Sequence, residues 1–358
     1  MPVLNKILIV KLSSLGDIIH TFPAITEFSQ HFPNCQIDWL VDEVFSDIPA
    51  WLAPVNQVYT LNRRQLRKYN KLFRGYFLPG SLRKTLKNNR YDAIIDLYFS
   101  KNEALFCNKL GAPFYGLPAE TLARIKKDPV QADYYQQYLN IDQHIDNLHH
   151  DRLDYVPFYR NLMALSGNYQ VAGEARYSLV PSRAEPTPME QPTLIFMHST
   201  SGESKVWPIP YWQTLANLAH KEGYRVLLPW GDAPEKNRAK AIAAQIDNCE
   251  VLPRLPIDTL MEIVRDCAGL IGGDTGFTHI ASIYDTPVVR IWGATYEGAA
   301  MPSQRSTDLI SSYHCAPCMN LKHCEQPDGQ QGCYPPCYRE ITPEQVWEAF
   351  KCLTTRST

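Results

Sequence analysis

The chain has 358 residues, 45% of them hydrophobic and 20% charged, with a net charge of −2. That length predicts about two domains, and that balance excludes a disordered or fibrous protein. No apolar run reaches the roughly 20 residues of a membrane span, and the first residues lack a signal-peptide pattern, so a cytoplasmic protein is expected.

In chain order, Ile7-Leu8-Ile9-Val10 is a continuous apolar run, the pattern of a strand buried on both faces. Its exit, Lys11-Leu12-Ser13-Ser14-Leu15-Gly16-Asp17, leads into a helix carrying Ile18, Ile19, Phe22 and Ile25, which Pro23 should kink or delay. One glycine is too few for a dinucleotide fingerprint. The exit instead places an ammonium, two hydroxyls and a carboxylate at a strand's carboxyl end, where open parallel sheets bind ligands. Further strands are predicted at 36–41, 58–61 and 91–97, with Asp96 and Lys101 flanking the last exit.

Residues 61–90 hold ten basic side chains, among them Arg63, Arg64, Arg67 and Lys68, and no acidic one. The rest of the chain carries 25 basic against 37 acidic residues. Such focusing points to an anionic partner or to a solvated basic loop. Nucleic acid is the weaker partner, because no nucleic-acid-reading motif accompanies the charge. A helix is expected over 137–165, with His149 and His150 on its solvated face rather than on a metal.

Four prolines between Pro181 and Pro192 read as a linker. A strand at 193–197 follows, and its exit contains Thr200, Ser201 and Lys205, a set that suits a phosphate group or an ordinary polar loop. Further helices are expected at 211–221, 237–245 and 257–267, and strands at 225–229, around Val251 and at 288–292. Glu235 is placed to accept from ribose hydroxyls or to sit at a helix start. At Gly272-Gly273-Asp274-Thr275-Gly276-Phe277-Thr278-His279, a strand turns into a helix. The glycines let backbone N–H groups approach an anion, and Thr275, Thr278 and His279 offer donors. Asp274 would repel phosphate, so it is expected to cap the helix or hold a sugar hydroxyl. Alternation of strands and helices in both halves predicts an α/β protein of two doubly wound domains.

Five of the ten cysteines, Cys315, Cys318, Cys324, Cys333 and Cys337, crowd one stretch. Cys-x-x-Cys with further cysteines has the spacing of metal ligands; packed reduced thiols, or a disulfide in an oxidising compartment, are the other readings.

Taken together, Lys11-Leu-Ser-Ser-Leu-Gly-Asp17, Ile37-Asp38-Trp39, Arg63-Arg64, Lys205-Val-Trp-Pro208, Leu228-Pro-Trp-Gly231 and Gly273-Asp-Thr-Gly-Phe-Thr-His279 resemble the bacterial ADP-heptose:lipopolysaccharide heptosyltransferases, nearest to the heptosyltransferase I branch, over residues 5–300. The resemblance implies two Rossmann-like domains facing across a cleft, the GT-B architecture, and inverting transfer of heptose from ADP-L-glycero-D-manno-heptose to Kdo of the lipopolysaccharide inner core. The enzyme would work at the cytoplasmic face of the inner membrane and need no cofactor. Residues 1–180 would bind acceptor and 193–340 donor, with a C-terminal helix at 341–358. Asp17 would be the base. Thr200, Ser201 and Lys205 would hold the diphosphate, with Lys205 offsetting charge on the leaving ADP. Glu235 would hold the ribose, and Asp274, Thr275, Gly276 and His279 the heptose and phosphates. Lys11, Ser14, Arg63, Arg64, Arg67, Lys68 and Lys101 would meet the anionic Kdo-lipid A acceptor.

Two regions depart from the pattern. Residues 117–135 match poorly. The cysteine tail resembles those of heptosyltransferase II-like and iron-binding, protein-modifying relatives, which implies a structural zinc or iron ion at Cys315, Cys318, Cys324, Cys333 and Cys337. Transfer to a second core heptose or to a protein serine, and non-catalytic nucleotide-sugar binding, are the alternatives.

Overall fold

The computed structural model describes residues 4–66, 78–98, 106–116, 154–180, 185–187, 189–326 and 333–355. Arg67, Lys68, Lys101, His149, His150 and the poorly matched 117–135 lie outside these. The chain divides into two compact units, Met1–Val180 and Pro181–Thr358.

The first unit is built on strands β1 (Lys6–Val10), β2 (Gln36–Asp42), β3 (Val55–Leu61), β4 (Ala93–Asp96) and β5 (Phe114–Tyr115). All pair in parallel, in the order β3-β2-β1-β4-β5. The apolar run at 7–10 is fully buried because helices cover both faces of a sheet of this kind. Leu8 and Val10 share one cluster with Leu40, Ile94 and Leu86, the last from helix α3 (Gly80–Asn88). Pro23 does interrupt the first helix. Helix α1 (Leu15–His20) stops at Thr21, and α2 (Phe22–His31) restarts with Pro23 in its first turn, where a missing N–H costs nothing. Helix α4 (Tyr155–Gly167) packs on α2 through Arg160, whose guanidinium forms a two-pronged pair with the Glu27 carboxylate at 2.8 and 3.3 Å.

The second unit contains β6 (Thr193–Met197), β7 (Arg225–Leu228), β8 (Cys249–Val251), β9 (Gly269–Gly273), β10 (Val288–Trp292) and β11 (Ser306–Ile310). These too are parallel, in the order β11-β10-β9-β6-β7-β8. Helices α5 (Ile209–Lys221), α6 (Ala233–Ala243), α7 (Ile257–Asp266), α8 (Gly276–Ile283) and α9 (Pro343–Thr355) flank the sheet. Helix α9 supplies Val346, Trp347, Phe350 and Leu353 to the same core as Phe196 and Trp212. It thereby forms part of this unit's core.

In each sheet the strand order reverses direction beside the first strand, between β1 and β4 and between β6 and β9. Such switch points leave a crevice at the strands' carboxyl ends. The exits singled out in the sequence, after β1, β4, β6 and β9, all fall there.

Candidate active site

In the first unit, the Asp17 carboxylate lies in α1, three residues after Ser14. Both the Ser14 backbone N–H and its hydroxyl donate to Asp17 Oδ2 at 2.8 Å. Ser14 therefore holds the carboxylate in place. Burial alone would raise the Asp17 pKa. The Lys11 ammonium, the two Ser14 hydrogen bonds and His20 together outweigh it and hold the pKa below its usual value.

Lys11 is only 3% exposed. Its ammonium donates to Tyr159 Oη at 2.7 Å and lies over the rings of Tyr159 and Tyr98, 4.8 and 5.8 Å from their centroids. Burial lowers its pKa to about 8, although Asp17 and Asp96 both pull it upward. Lys11 is thus an internal charge that conditions Asp17.

Arg63 reaches the same exit. It donates to Ser13 Oγ at 2.5 Å and to the Tyr98 hydroxyl, and its Nε lies 3.9 Å from Asp42 Oδ2. Arg64 is exposed. Asp38, in the Ile37-Asp38-Trp39 motif, is buried and structural; it accepts from Tyr91 Oη at 2.9 Å and pairs with Lys6 at 3.3 Å. Trp39 Nε1 donates to the Lys11 carbonyl at 3.0 Å, fixing the start of the exit.

In the second unit, β6 leads through His198 to a short helical turn at Glu203–Lys205. The His198 ring bridges Pro229 O at 3.0 Å and Ser199 Oγ at 2.8 Å. Burial, with a contribution from the Arg238 charge, lowers its pKa to about 4, so the ring is neutral at physiological pH. Trp207 anchors the loop's far end, donating to Ile341 O at 3.1 Å and packing edge-on against Trp212. This explains the Lys-Val-Trp-Pro spacing: the indole is fastened in the core two residues from the ammonium.

Lys205 Nζ lies 3.0 Å from Asp274 Oδ2 and 3.1 Å from the Asp274 carbonyl. His279 Nε2 lies 3.6 Å from Asp274 Oδ1. Burial alone would raise the Asp274 pKa, but His279 and Lys205 keep it well below the usual carboxylate range. Asp274 therefore does not cap the helix; Thr275 occupies the N-cap position of α8. Nor does the Thr278 hydroxyl point to a ligand, since it donates to Thr275 O at 2.7 Å and Gly273 O at 3.2 Å. Thr275 and Gly276 are partly exposed at the helix start, Thr200 is partly exposed, and Ser201 is exposed. A Cβ on Gly273 would lie 3.3 Å from the Lys205 carbonyl, a tight approach that glycine eases.

Glu235 sits in the first turn of α6. Its carboxylate accepts from Gly231 N at 2.6 Å, while its own N–H donates to Asp232 Oδ1 at 3.0 Å. The helix-start reading of Glu235 thus has a direct basis.

Of the five tail cysteines, Cys315, Cys318, Cys324 and Cys337 line one small cavity with Ser204, Gly293 and Ala294. Cys333 is buried in the core cluster beside Tyr211 and leaves this set. Among the described residues, no group of three or more His, Cys, Asp or Glu side chains is arranged to hold a metal ion.

Tyr98 and Tyr159 escaped the sequence reading. Tyr98 follows β4 by two residues and had a positional signal. Tyr159 meets Lys11 across 148 positions and had none.

Two Rossmann-like units, each with polar side chains gathered at its switch point, define a two-domain α/β protein. Comparison with known proteins sharpens the class. The family model for glycosyltransferase family 9 (heptosyltransferase) matches residues 80–327. The lipopolysaccharide heptosyltransferase 1 of Pseudomonas aeruginosa is 30% identical over 355 residues, covering 95% of this chain and 96% of that one. The Escherichia coli K12 protein of the same name is 31% identical, covering 82% and 89%. The solved E. coli heptosyltransferase WaaC with ADP-2-deoxy-2-fluoro heptose superposes with a TM-score of 0.70 at 26% identity, covering 97% of this chain and 99% of that one. The chain belongs to glycosyltransferase family 9 (heptosyltransferase), and it is a glycosyltransferase with two Rossmann-like domains.

Proposed function

We propose that this enzyme moves heptose from ADP-L-glycero-D-manno-heptose to Kdo of the lipopolysaccharide inner core, with inversion. The similarity to heptosyltransferase 1 proteins over most of the chain supports that acceptor. The observation that carries the mechanism is the Asp17 carboxylate, oriented by Ser14 and kept ionised beside the buried Lys11 charge. In a single displacement, Asp17 takes the proton of the acceptor hydroxyl as that oxygen bonds to the anomeric carbon. The bond from that carbon to the ADP β-phosphate oxygen breaks, and ADP leaves with the electron pair. One carboxylate suffices for this chemistry.

Thr200, Ser201, Thr275, Gly276 and the N–H groups at the start of α8 receive the diphosphate and sugar. Lys205 exchanges part of its contact with Asp274 for the growing charge on ADP. Asp274, released in part, accepts from heptose hydroxyls, with His279 beside it. Glu235 retains one carboxylate oxygen for the adenosine ribose. Arg63 and Arg64, with the basic residues that follow, meet the acceptor's carboxylate and phosphates. The same charge favours a peripheral position on the anionic cytoplasmic face of the inner membrane. No helix among the described residues is long and apolar enough to cross a membrane.

A structural zinc or iron ion in the tail would take Cys315, Cys318, Cys324 and Cys337 as thiolate ligands after side-chain adjustment. It would brace the tail and take no part in transfer. Metal analysis of purified enzyme tests that reading.

ADP release from ADP-heptose, measured with defined Kdo-lipid A acceptors, tests the function. Release that depends on Kdo-lipid A is expected. Release only with a heptosylated core or a protein acceptor would redirect the assignment, and donor binding without release to any acceptor would leave a binder.

A further inference from the structure

The tail does more than follow the second sheet: it lies on the turn that carries Lys205. Ser204 is 2% exposed, and its hydroxyl donates to the Asn320 carbonyl, 116 residues away. A Cβ on Gly202 would overlap the carbonyl oxygen of Leu321, so only glycine admits the tail at this distance. The turn itself is closed by Lys205 N–H donating to Gly202 O at 3.1 Å. Gly202 and Ser204 thus bracket the turn, and the backbone of residues 320 and 321 touches both.

The tail is fastened on either side of that contact. Met319 N–H donates to Ala294 O, just beyond β10, at 2.8 Å, and Met319 adopts a left-handed φ of 54° to do so. The Asn320 amide donates to Glu325 Oε1 at 2.8 Å, and Tyr334 Oη donates to Cys324 O at 2.8 Å. Cys318 and Cys324 flank the segment and turn into the cavity that Ser204 also lines. A non-glycine residue held at positive φ is a costly feature for an incidental loop, and the Asn320 carbonyl is committed to the turn.

We propose that Met319–Leu321 is a strap that positions Lys205 for the donor diphosphate, with Gly202 and Ser204 as the positioning residues through which it acts. This rests on the reading of Lys205 as a diphosphate contact. The strap fixes the turn before the donor arrives, so less ordering remains for binding.

ADP affinity and separate donor and acceptor KM values, measured on the full chain, test it. Ser204→Ala removes one hydrogen bond and is expected to weaken ADP binding about fivefold. Donor KM should rise in step, with acceptor KM unchanged and kcat at saturating donor within about twofold. Ser204→Thr, which keeps the hydroxyl, should restore affinity. Gly202→Ala must displace the strap and is expected to weaken ADP binding more than about tenfold. If Lys205→Ala weakens ADP binding while Ser204→Ala and Gly202→Ala bind ADP as wild type, the strap is overturned and Lys205 keeps its role. If Lys205→Ala itself binds ADP normally, the donor reading falls, and the strap with it. Donor and acceptor KM rising together with a lowered melting temperature would show a structural role only, and also overturns the strap.

Discussion

The two switch points each hold a lysine and an aspartate, arranged in opposite ways. In the second unit the pair is in contact, Lys205 to Asp274 at 3.0 Å. In the first, the ammonium of Lys11 is spent on Tyr159 Oη and two ring faces, and its effect on Asp17 is through space. A direct ion pair would blunt a base by occupying the oxygen that must take a proton. A nearby but otherwise engaged cation keeps the carboxylate ionised and leaves it reactive. A phosphate-binding lysine has the reverse need: a buried ammonium awaiting an anion is cheaper to keep beside a carboxylate that can be partly displaced.

The sharpest way to break the comparison is Asp17→Ala. It should lower kcat about 10³-fold or more with ADP affinity unchanged, as expected for loss of a general base, measured by ADP release and calorimetry. Near-normal turnover would end the base assignment. Lys205→Ala should cost about 10²-fold in kcat/KM and weaken ADP binding, because it removes charge stabilisation and leaves the Asp274 carboxylate with His279 as its remaining charged partner. Asp274→Asn in the same background separates those causes: if the stranded carboxylate matters, the double variant recovers part of the ADP affinity.

Next in size is an effect on stability. The His198 pKa is lowered to about 4, so the unfolded chain takes up the proton first as pH falls. Its contribution is intact above about pH 6.5 and is lost between about pH 6.5 and 4, at most about 3 kcal/mol. His198→Gln should therefore show a smaller drop in urea midpoint between pH 7.5 and 4.5 than wild type. A parallel drop in both would remove this account. The smallest effect separates two neighbours. Arg63→Ala, which loses contacts to Ser13 and Tyr98, should raise acceptor KM about tenfold. Exposed Arg64→Ala should raise it about two- to threefold, fading as salt increases.

Much of the fold was legible because its signals are local. The run at 7–10 announced a two-sided buried strand, and Pro23 announced a break between helices. The strands at β5 and β11 were not legible. Phe114–Tyr115 is only two residues long, and Ser306–Ile310 is a half-exposed edge with mixed polarity, so neither carries a strong apolar period. At the site, residue types could be read but not their partners. Asp274 read as a cap or a sugar contact because it precedes a helix, but its pairing with Lys205, 69 positions earlier, carried no local signal. Lys11 could be read as a charge at a strand exit, but not as a buried one. Its burial depends on Tyr159, from a helix that follows by well over a hundred residues, and no spacing rule reports that.

The placement of α9 bears on how the enzyme is made. The first unit ends at Val180, so a growing chain can complete that sheet before the second unit is synthesised. The second cannot follow suit strand by strand, because Trp347, Phe350 and Leu353 belong to its core, on a helix packed against α5 and β10, and are translated after every strand of that sheet. Until they emerge, the nascent protein exposes an unfilled apolar face beside Trp212 and Phe196, and that interval is when it most needs protection from aggregation.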